Sequence, residues 1–295
     1  MKWHGRRALV TGASGFIGAH LVRRLTELGA DVHGASRGAA GHRFDVSDAA
    51  AVERLFAAVR PEVVFHLAGE VNGARDVSVV PATLAANLAG TVNVLTAAAA
   101  SGCRVVLAGS SEEPRPGNGY APPPSPYAMA KAAASGYAEL YHRLWGLPYT
   151  IVRPTMVYGP GQRDLGKLIP YVTLALLRGR RPRLTSGAKK ADWVYVDDVV
   201  EAFALAGLSE RAVGQAFDVG TGTTVTVREA VELLYRIAGE TSGPPFGTVA
   251  DRPLDTPQAA DPGPASDALG WRATVSLEDG LRRTYKWYAD QAGNL

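Results

Sequence analysis

Three side chains in this sequence have the chemistry needed to reduce or oxidise a carbonyl group. Tyr127 and Lys131 lie four residues apart in a predicted helix, so they share one face. A phenol titrates at about pH 10 in water, and a nearby ammonium, aided by the positive ring of an oxidised nicotinamide, stabilises its phenolate. Ser110 follows a predicted strand and would hydrogen-bond a substrate oxygen. We predict that these three residues are catalytic, although the Tyr–Lys spacing alone also fits an exposed helical pair.

A glycine-rich turn joins a strand predicted at residues 8–11 to a helix predicted at residues 18–28. Glycine permits a tight turn, lets the backbone approach a phosphate, and allows the helix to pack closely on the strand. The helix N-terminus then presents free N–H groups to an anion. We therefore predict that the turn binds a dinucleotide pyrophosphate through Gly12, Ser14, Gly15, Phe16, Ile17 and Gly18.

Strand and helix signals alternate along the first half of the chain. Further strands are predicted at residues 31–34, 63–67, 104–108 and 149–153, and further helices at 49–59, 81–100 and 126–145. This alternation predicts an α/β fold with a Rossmann-type doubly wound parallel sheet, whose ligands bind at the carboxyl ends of the strands. We place the dinucleotide-binding Rossmann domain at residues 1–165, with returning segments near 190–220. Residues 166–295 are predicted to form mainly a smaller, interleaved α/β C-terminal substrate-binding lobe.

The composition argues against several classes of protein. A chain of 295 residues with a net charge of +3 can form a nucleotide-binding domain with a smaller lobe. Cys103 is the only cysteine, which excludes an internal disulfide and fits a reducing cytosol. The sequence has no Cys/His cluster, no signal-peptide pattern and no uninterrupted apolar run of about 18 residues. We therefore predict a cytoplasmic protein without a metal, a membrane or a nucleic-acid partner.

Five short motifs occur in order along the chain. They read TGASGFIG at residues 11–18, HLAG at 66–69, NLAGT at 87–91, RPTMVYGP at 153–160 and DWVYVDD at 192–198. Together with Ser110, Tyr127 and Lys131, these motifs resemble the extended short-chain dehydrogenase/reductases, in the branch of nucleotide-sugar epimerases, dehydratases and reductases. The resemblance implies cofactor contacts from Asp45, Val46, Leu67, Ala68, Gly69, Asn87, Tyr127, Lys131, Pro154 and Val157.

The end of the second predicted strand departs from the pattern of family members that keep NAD. Those members usually have an acidic residue there that binds the ribose hydroxyls, whereas this chain has Ser36 and Arg37. A hydroxyl and a guanidinium suit a 2′-phosphate, which a carboxylate would repel. We therefore predict NADPH/NADP as the cofactor. NAD is the alternative if Ser36 and Arg37 form a plain solvent-facing turn.

The segment after the strand at residues 104–108 bears on the type of reaction. Family dehydratases carry Thr-Asp-Glu there, and the Asp is the acid for eliminating water. This chain has Ser111 in place of that acid, although Glu112 remains a candidate base. The sequence GSSEE at residues 109–113 resembles more closely the reductases of nucleotide-linked 4-keto-6-deoxy sugars, which implies substrate contacts from Ser111 and Glu112. A solvated loop is the alternative for the two glutamates.

Contacts to a substrate diphosphate are predicted from basic residues in the C-terminal half. Ala191 stands where the family often has an arginine that contacts the diphosphate. Arg163, Lys189 and Lys190 are candidates to replace that arginine. Arg252 matches another family position at the diphosphate.

These observations predict NADPH-dependent reduction of the keto group of a nucleotide-diphosphate 4-keto-6-deoxyhexose, with Tyr127 as proton donor. An NAD-dependent nucleotide-sugar epimerase is the first alternative. A reductase of a non-sugar ketone, which Ala191 favours, and a non-catalytic NADP-sensing protein are the others. The resemblance also implies a homodimer formed through the helices predicted at residues 81–100 and 126–145.

Overall fold

The chain passes repeatedly between two compact units. The computed structural model describes residues 3–38, 41–114, 123–251 and 259–291. The first unit consists of Met1–Pro154, Val200–Asp218 and Gly263–Trp271, and the second of Thr155–Val199, Val219–Pro262 and Arg272–Leu295. This division differs from the boundary predicted at residue 165. The reason is that residues 156–158 pair with residues 193–195 of the second unit.

The strands are short, and helices follow most of them. They are β1 (Arg7–Thr11), β2 (Asp31–Ser36), β3 (His42–Arg43), β4 (Val63–His66), β5 (Arg104–Ala108), β6 (Tyr149–Pro154), β7 (Met156–Tyr158), β8 (Lys190–Ala191), β9 (Trp193–Tyr195), β10 (Gln215–Val219) and β11 (Val225–Thr226). Seven of them form one sheet in the order β10-β6-β5-β4-β1-β2-β3. The pairings from β3 across to β6 are parallel. All four residues of β4 are buried, as expected for a parallel strand covered on both faces. The predicted Rossmann-type α/β fold is confirmed.

The helices follow the strands in the alternation that the sequence predicts. They are α1 (Phe16–Glu27), α2 (Ala49–Val59), α3 (Val80–Thr83), α4 (Gly90–Ser101), α5 (Pro126–Trp145), α6 (Leu168–Leu177), α7 (Val196–Ala206), α8 (Val227–Ile237), α9 (Gly263–Leu269) and α10 (Leu277–Asp290). Between α3 and α4, Leu84–Ala89 form a π-helical turn. The helix predicted at residues 81–100 is therefore interrupted within its span, which the helical period of the sequence does not reveal.

Two buried aspartates organise the loops of the second unit. The Asp192 carboxylate accepts hydrogen bonds from the backbone N–H groups of Thr221, Gly222 and Ala260, at 2.8 to 3.1 Å, and from the Thr221 hydroxyl. Asp198 accepts from the backbone and the hydroxyl of Thr274. Buried carboxylates are stable when several donors satisfy them. These acidic residues of the DWVYVDD motif therefore have a structural role.

One helical stretch, Val77–Ser101, is long and apolar enough to cross a membrane by length and composition alone. Only 28 % of its most apolar window is buried. Its buried face includes Asn87 and Thr91 and packs on the first unit, where α4 contacts α2 and α5. Core helices of globular proteins pass the same test, so the composition of this helix is weak evidence for a membrane span.

Candidate active site

The glycine-rich turn has the geometry of an anion-binding loop. Gly12 has a φ of +72°, and a Cβ there would lie 2.7 Å from the amide nitrogen of Ala68. A Cβ at Gly18 would overlap the carbonyl oxygen of Gly12, so glycine is required for α1 to start this close to β1. Gly15 is the N-cap of α1 and has no side chain to occupy the first N–H groups of the helix. Ser14, Phe16 and Ile17 lie in the same turn.

The end of β2 presents hydroxyl groups and a guanidinium. Ser36 is 5 % exposed, and its hydroxyl oxygen has no hydrogen-bond partner among the described residues. A Cβ at Gly38 would lie 3.7 Å from that oxygen and 3.9 Å from the Ser14 hydroxyl, so both hydroxyls border the same space. Arg37 next to Ser36 is exposed. A buried hydroxyl without a partner costs about 1–3 kcal/mol, which an acceptor group of a bound cofactor would recover.

Asp45 and Val46 follow the short strand β3. Hydrogen bonds from Ser47 are the main reason that the pKa of the Asp45 carboxyl is lowered, and the charge of Arg37 adds to the effect. Val46 is buried against Gly90, where a Cβ would lie 2.6 Å from the Val46 side chain. These contacts bring Asp45 and Val46, two of the predicted cofactor contacts, close to the end of β2 and to the start of α4.

A buried chain of hydrogen bonds joins the ends of β1 and β4 to α4. The Thr91 hydroxyl donates to the Asn87 carbonyl oxygen at 2.7 Å, so it accepts from His66 Nε2 at 3.1 Å. The other ring nitrogen of His66, Nδ1, then accepts from the Thr11 hydroxyl at 2.7 Å. The Thr11 oxygen in turn accepts the backbone N–H of Ala68 at 3.2 Å. Each hydroxyl therefore both donates and accepts, and His66 is the neutral Nε2–H tautomer.

Asn87 connects this chain to the loop after β4. Its side-chain oxygen accepts the backbone N–H of Glu70 at 2.7 Å, and its side-chain nitrogen donates to the Glu70 carbonyl at 2.8 Å. A Cβ at Gly69 would overlap the Asn87 oxygen and would lie 3.8 Å from Lys131 Nζ. Leu67 approaches the glycine turn, because its carbonyl oxygen would lie 2.9 Å from a Cβ at Gly12. The predicted cofactor contacts at residues 67–69 and at Asn87 therefore lie close together.

The three predicted catalytic residues converge in the first unit. The Tyr127 phenol is hydrogen-bonded to Ser110. Lys131 Nζ lies 6.0 Å from the centre of the Tyr127 ring and donates to the carbonyl oxygen of Ala108 at 2.7 Å. Ser125 caps the N-terminus of α5 through its hydroxyl, which fixes the helical turn that carries Tyr127.

Burial opposes charge on both titratable groups of this cluster. Burial raises the pKa of Tyr127 to about 12, the hydrogen bond with Ser110 opposes this shift, and the charges of Glu112 and Glu113 add to it. Burial lowers the pKa of Lys131 to about 8, and the charge of Glu113 opposes that shift. At neutral pH the phenol therefore carries its proton while the lysine remains an ammonium.

The loop after β5 gives its two glutamates different environments. Glu112 is exposed; its N–H donates to the Ser110 hydroxyl oxygen at 3.1 Å, and its carboxylate accepts from the Ser125 hydroxyl at 3.3 Å. The Ser111 N–H donates to the Pro154 carbonyl at 3.3 Å. The alternative of a solvated loop fits the exposure of Glu112 but not Glu113, which is buried.

Glu113 is a site residue whose placement the sequence analysis missed. It is 2 % exposed, and its Oε1 accepts the backbone N–H of Ser110 at 2.6 Å. Its Oε2 lies 3.3 Å from Nε of Arg153, near the end of the neighbouring strand β6. Glu113 follows β5 and Arg153 lies near the end of β6, so the sequence contains an acid and a base that could form a pair. This pairing could be predicted only if β5 and β6 were already known to be neighbours in the sheet.

The remaining predicted residues are divided between the two units. Pro154 ends β6 in the first unit, whereas Val157 is in β7 of the second unit. Arg163 and Lys189 are exposed residues of the second unit, and Arg252 lies outside the described residues. Among the described residues, no group of three His, Cys, Asp or Glu side chains is arranged to hold a metal ion.

Comparison with known proteins gives one consistent family. Residues 8–220 match the model of the NAD dependent epimerase/dehydratase family. The chain is 33 % identical to a UDP-glucose 4-epimerase of Mycolicibacterium smegmatis over 97 % of this chain and 99 % of that protein. Its fold is similar to that of Thermotoga maritima UDP-glucose 4-epimerase solved with UDP-glucose, with a TM-score of 0.88, 31 % identity and coverage of 97 % and 99 % of the two chains. It is also similar to a dTDP-glucose 4,6-dehydratase of Streptomyces venezuelae solved with NAD, with a TM-score of 0.87, 31 % identity and coverage of 97 % and 98 %.

The buried His66 predicts a loss of stability in acid. Burial, with the charge of Lys131 adding to it, lowers the pKa of His66 from 6.5 to about 3 in the folded chain. The unfolded chain therefore binds more protons between these values, and the free energy of unfolding falls by up to about 1.4 kcal/mol for each pH unit below 6.5. His66→Gln cannot titrate and should remove this slope in urea unfolding between about pH 7 and pH 4.5. The exposed His4→Gln should keep it, and an unchanged slope in His66→Gln contradicts the prediction.

Proposed function

Because this chain belongs to the NAD-dependent epimerase/dehydratase family, we propose that it reduces the keto group of a nucleotide-diphosphate 4-keto-6-deoxyhexose with NADPH. The end of β2 carries this proposal. Ser36, whose buried hydroxyl has no hydrogen-bond partner within the described part of the chain, and the exposed Arg37 stand where an acidic residue would bind the ribose of NAD. A guanidinium and a free hydroxyl match a 2′-phosphate in charge and in hydrogen bonding. A net reductase consumes reduced cofactor, usually the phosphorylated form.

All but one of the residues proposed to hold this cofactor are in the first unit, and Val157 is in the second. The glycine turn and the N-terminus of α1 would bind its pyrophosphate, and Ser36 with Arg37 its 2′-phosphate. Asp45 and Val46 would border the adenine, while residues 67–69, Asn87, Pro154 and Val157 would border the remainder of the cofactor. When bound, the nicotinamide supplies a hydride to the substrate carbonyl carbon.

The catalytic residues supply the proton and hold the oxygen. Ser110 donates a hydrogen bond to the carbonyl oxygen, and Tyr127 transfers its phenol proton to that oxygen as negative charge develops there. The raised pKa of Tyr127 suits this role, since the phenol is protonated at neutral pH. The Lys131 ammonium stabilises the phenolate that remains and holds the cofactor ribose. Positioning of the three groups removes part of the entropic barrier.

One residue on the substrate side, Ser111, favours reduction over elimination. Ser111 replaces the acid that a 4,6-dehydratase uses to expel water, so elimination lacks a proton donor at that position. Glu112 and Ser111 would contact the sugar, and Arg163, Lys189 and Arg252 would contact the diphosphate through charge-assisted hydrogen bonds. Ala191 is 6 % exposed in β8, so the diphosphate contact from that position is lost.

A nucleotide-sugar 4-epimerase that keeps NAD is the second candidate function. The 33 % identity to a UDP-glucose 4-epimerase over nearly the full length of both chains favours it. Such an enzyme oxidises and re-reduces its substrate within one turnover, so it needs no added reductant. A reductase of a non-sugar ketone and a non-catalytic NADP-sensing protein would bind NADPH but would leave nucleotide sugars unchanged.

Tyr127→Phe removes the proton donor and keeps the ring. We expect kcat for the oxidation of NADPH by the 4-keto sugar nucleotide to fall by about 10²–10⁴-fold, with the Kd of NADPH unchanged. The matched control is Tyr137→Phe, an exposed tyrosine of the same helix, which should retain wild-type turnover. Equal rates for Tyr127→Phe and the wild type would remove Tyr127 from the mechanism and favour the sensing protein.

Arg37→Ala tests the choice of cofactor. Loss of a charge-assisted bond to a phosphate costs about 1.5–3 kcal/mol, so the Kd of NADPH should rise about 10- to 100-fold while that of NADH stays constant. Calorimetric titration of both cofactors measures the change. Arg54→Ala, at an exposed arginine on α2, is the control and should alter neither Kd. A wild-type preference for NADH, or an unchanged NADPH affinity in Arg37→Ala, would contradict the assignment.

We also propose that the chain forms a homodimer through α5 and the helical stretch Val77–Ser101. Both elements expose large apolar side chains, namely Leu84, Met129, Tyr137, Leu140 and Leu144. Apolar side chains that cluster on the surface can mark a site of protein association. A Cβ at Gly136 of α5 would meet no atom within 4 Å, so its surface is open to a second helix. A two-fold pairing of these helices would cover both copies of the surface.

If the proposed dimer forms, a charged side chain introduced at its interface should lower the mass measured in solution. The wild-type protein should scatter light as a dimer after size-exclusion chromatography, and Leu140→Glu should shift the mass towards that of the monomer, since it buries a charge at the interface. Leu165→Glu, at an exposed leucine of the second unit, should remain dimeric. A monomeric wild type would refute the homodimer.

A further inference from the structure

A buried carboxylate that the proposed mechanism does not use lies beneath the loop after β5. Glu113 is 2 % exposed. Its Oε1 accepts the backbone N–H of Ser110 at 2.6 Å, and its Oε2 accepts the hydroxyl of Ser135 at 2.7 Å. The same oxygen lies 3.3 Å from Nε of Arg153. Glutamate is rarely buried unless it is paired, so these partners account for its position.

The partners of Glu113 come from the elements that carry the catalytic group. Ser110 is itself one of the predicted catalytic residues. Ser135 is on α5, one helical turn after Lys131 and two turns after Tyr127, so it lies on the same side of the helix. Arg153 is near the end of β6, next to β5 in the sheet. One carboxylate thus links the Ser110 loop to the helix of the proton donor and to the neighbouring strand.

The chain makes room for this carboxylate at Gly109. A Cβ at Gly109 would lie 2.7 Å from Oε1 of Glu113 and 2.9 Å from the Arg153 side chain. Such distances are too short for a methyl group, so a larger residue would displace the carboxylate. The Glu113 N–H also donates to the Ser110 carbonyl at 3.1 Å, which closes a tight turn between the two residues. The loop at residues 109–113 therefore encloses the Glu113 carboxylate, while Glu112 remains exposed.

Charged groups surround Glu113 on several sides. Arg153 lies beside it from β6, Ser135 bonds it from the side of α5 that also carries Lys131 and Tyr127, and Glu112 precedes it in the loop. The negative charge of Glu113 raises the pKa of both Lys131 and Tyr127, against the effect of burial on Lys131 and with it on Tyr127. Both shifts favour the ammonium and the protonated phenol, the forms from which a proton is donated to a substrate oxygen.

We propose that Glu113 is a positioning residue that holds Ser110 at a set distance from Tyr127 and places its negative charge on the side of α5 that carries Lys131. This inference rests on the proposed reduction, because the paired hydrogen bonds of Ser110 and Tyr127 matter only if both act on one carbonyl oxygen. Ser135 and Arg153 keep the carboxylate in place. Glu113 itself touches neither the substrate nor the cofactor.

Three substitutions separate the effect of the Glu113 charge from that of the hydrogen bond with Ser135, namely Glu113→Gln, Glu113→Ala and Ser135→Ala. We expect Glu113→Ala to lower kcat by about tenfold or more at nearly constant KM and constant NADPH Kd, since the lost alignment acts on the chemical step. Glu113→Gln keeps an acceptor for the Ser110 N–H and should recover part of kcat. Ser135→Ala removes one tether, keeps the charge and should lower kcat a few-fold. Thr150→Val is the matched control, because it deletes another buried hydrogen bond of β6, from Thr150 to the Ala212 carbonyl.

A second readout needs no sugar substrate. Lysine labelled with ¹³C at Cε reports the titration of Lys131 by NMR, with the signal assigned by its loss in Lys131→Arg. In the cofactor-free protein the midpoint should lie at about 8. Glu113→Gln should lower this midpoint, since a negative charge that raises the pKa of Lys131 is lost. Thr150→Val and Ser135→Ala should leave it in place, and the same series is then repeated with NADP bound.

The two readouts distinguish the outcomes. If the Glu113 variants lower only the thermal midpoint, as Thr150→Val does, and keep the wild-type kcat and Lys131 titration, Glu113 is merely structural and the inference is overturned. If the wild type reduces no sugar nucleotide but the Lys131 midpoint still moves in Glu113→Gln, the proposed reduction fails while the placement of the charge is supported. A fall in kcat with a shifted midpoint supports both.

Discussion

The hydrogen-bonded chain through His66 is the interaction on which the rest of the site depends. It joins Thr11 at the end of β1 to Thr91 and Asn87 on the helix that follows β4. His66 is buried and neutral, so an unpaired ring nitrogen would cost about 1–3 kcal/mol. These hydrogen bonds also hold the backbone of Ala68 beside Gly12, where a side chain at position 12 would collide with it. The glycine turn and the loop after β4 are therefore positioned together.

Burial sets the protonation states of the site, and a few placed charges adjust them. Tyr127 and Lys131 are both shifted towards their neutral forms by burial. Glu113 acts on both in the direction of the protonated form, and Arg153 pairs with Glu113 from β6. A dry site makes each of these charges count more than it would in water. The result at neutral pH is a phenol that still holds its proton beside an ammonium.

The sequence predicted most of the elements that position the site, because their signals are local. Ser125 as N-cap, Pro126 in the first turn and Gly146 with a φ of +69° mark both ends of α5, whose bounds were predicted correctly. Other features depend on contacts between distant residues. The π-helical turn at Leu84–Ala89 accompanies the bonds of Asn87 to the Glu70 backbone. Glu113 is buried because β6 brings Arg153 next to it, and neither fact can be read from periodicity.

In the proposed reaction this family member consumes NADPH rather than recycling a resident NAD. The most direct measurement is the cofactor content of the purified protein, followed by the amount of NADPH oxidised per mole of a nucleotide-diphosphate 4-keto-6-deoxyhexose converted. A net reductase should be purified with an empty cofactor site and should oxidise one NADPH for each sugar reduced. Protein that carries tightly bound NAD and converts UDP-glucose without any added reductant would contradict it and would establish the epimerase instead.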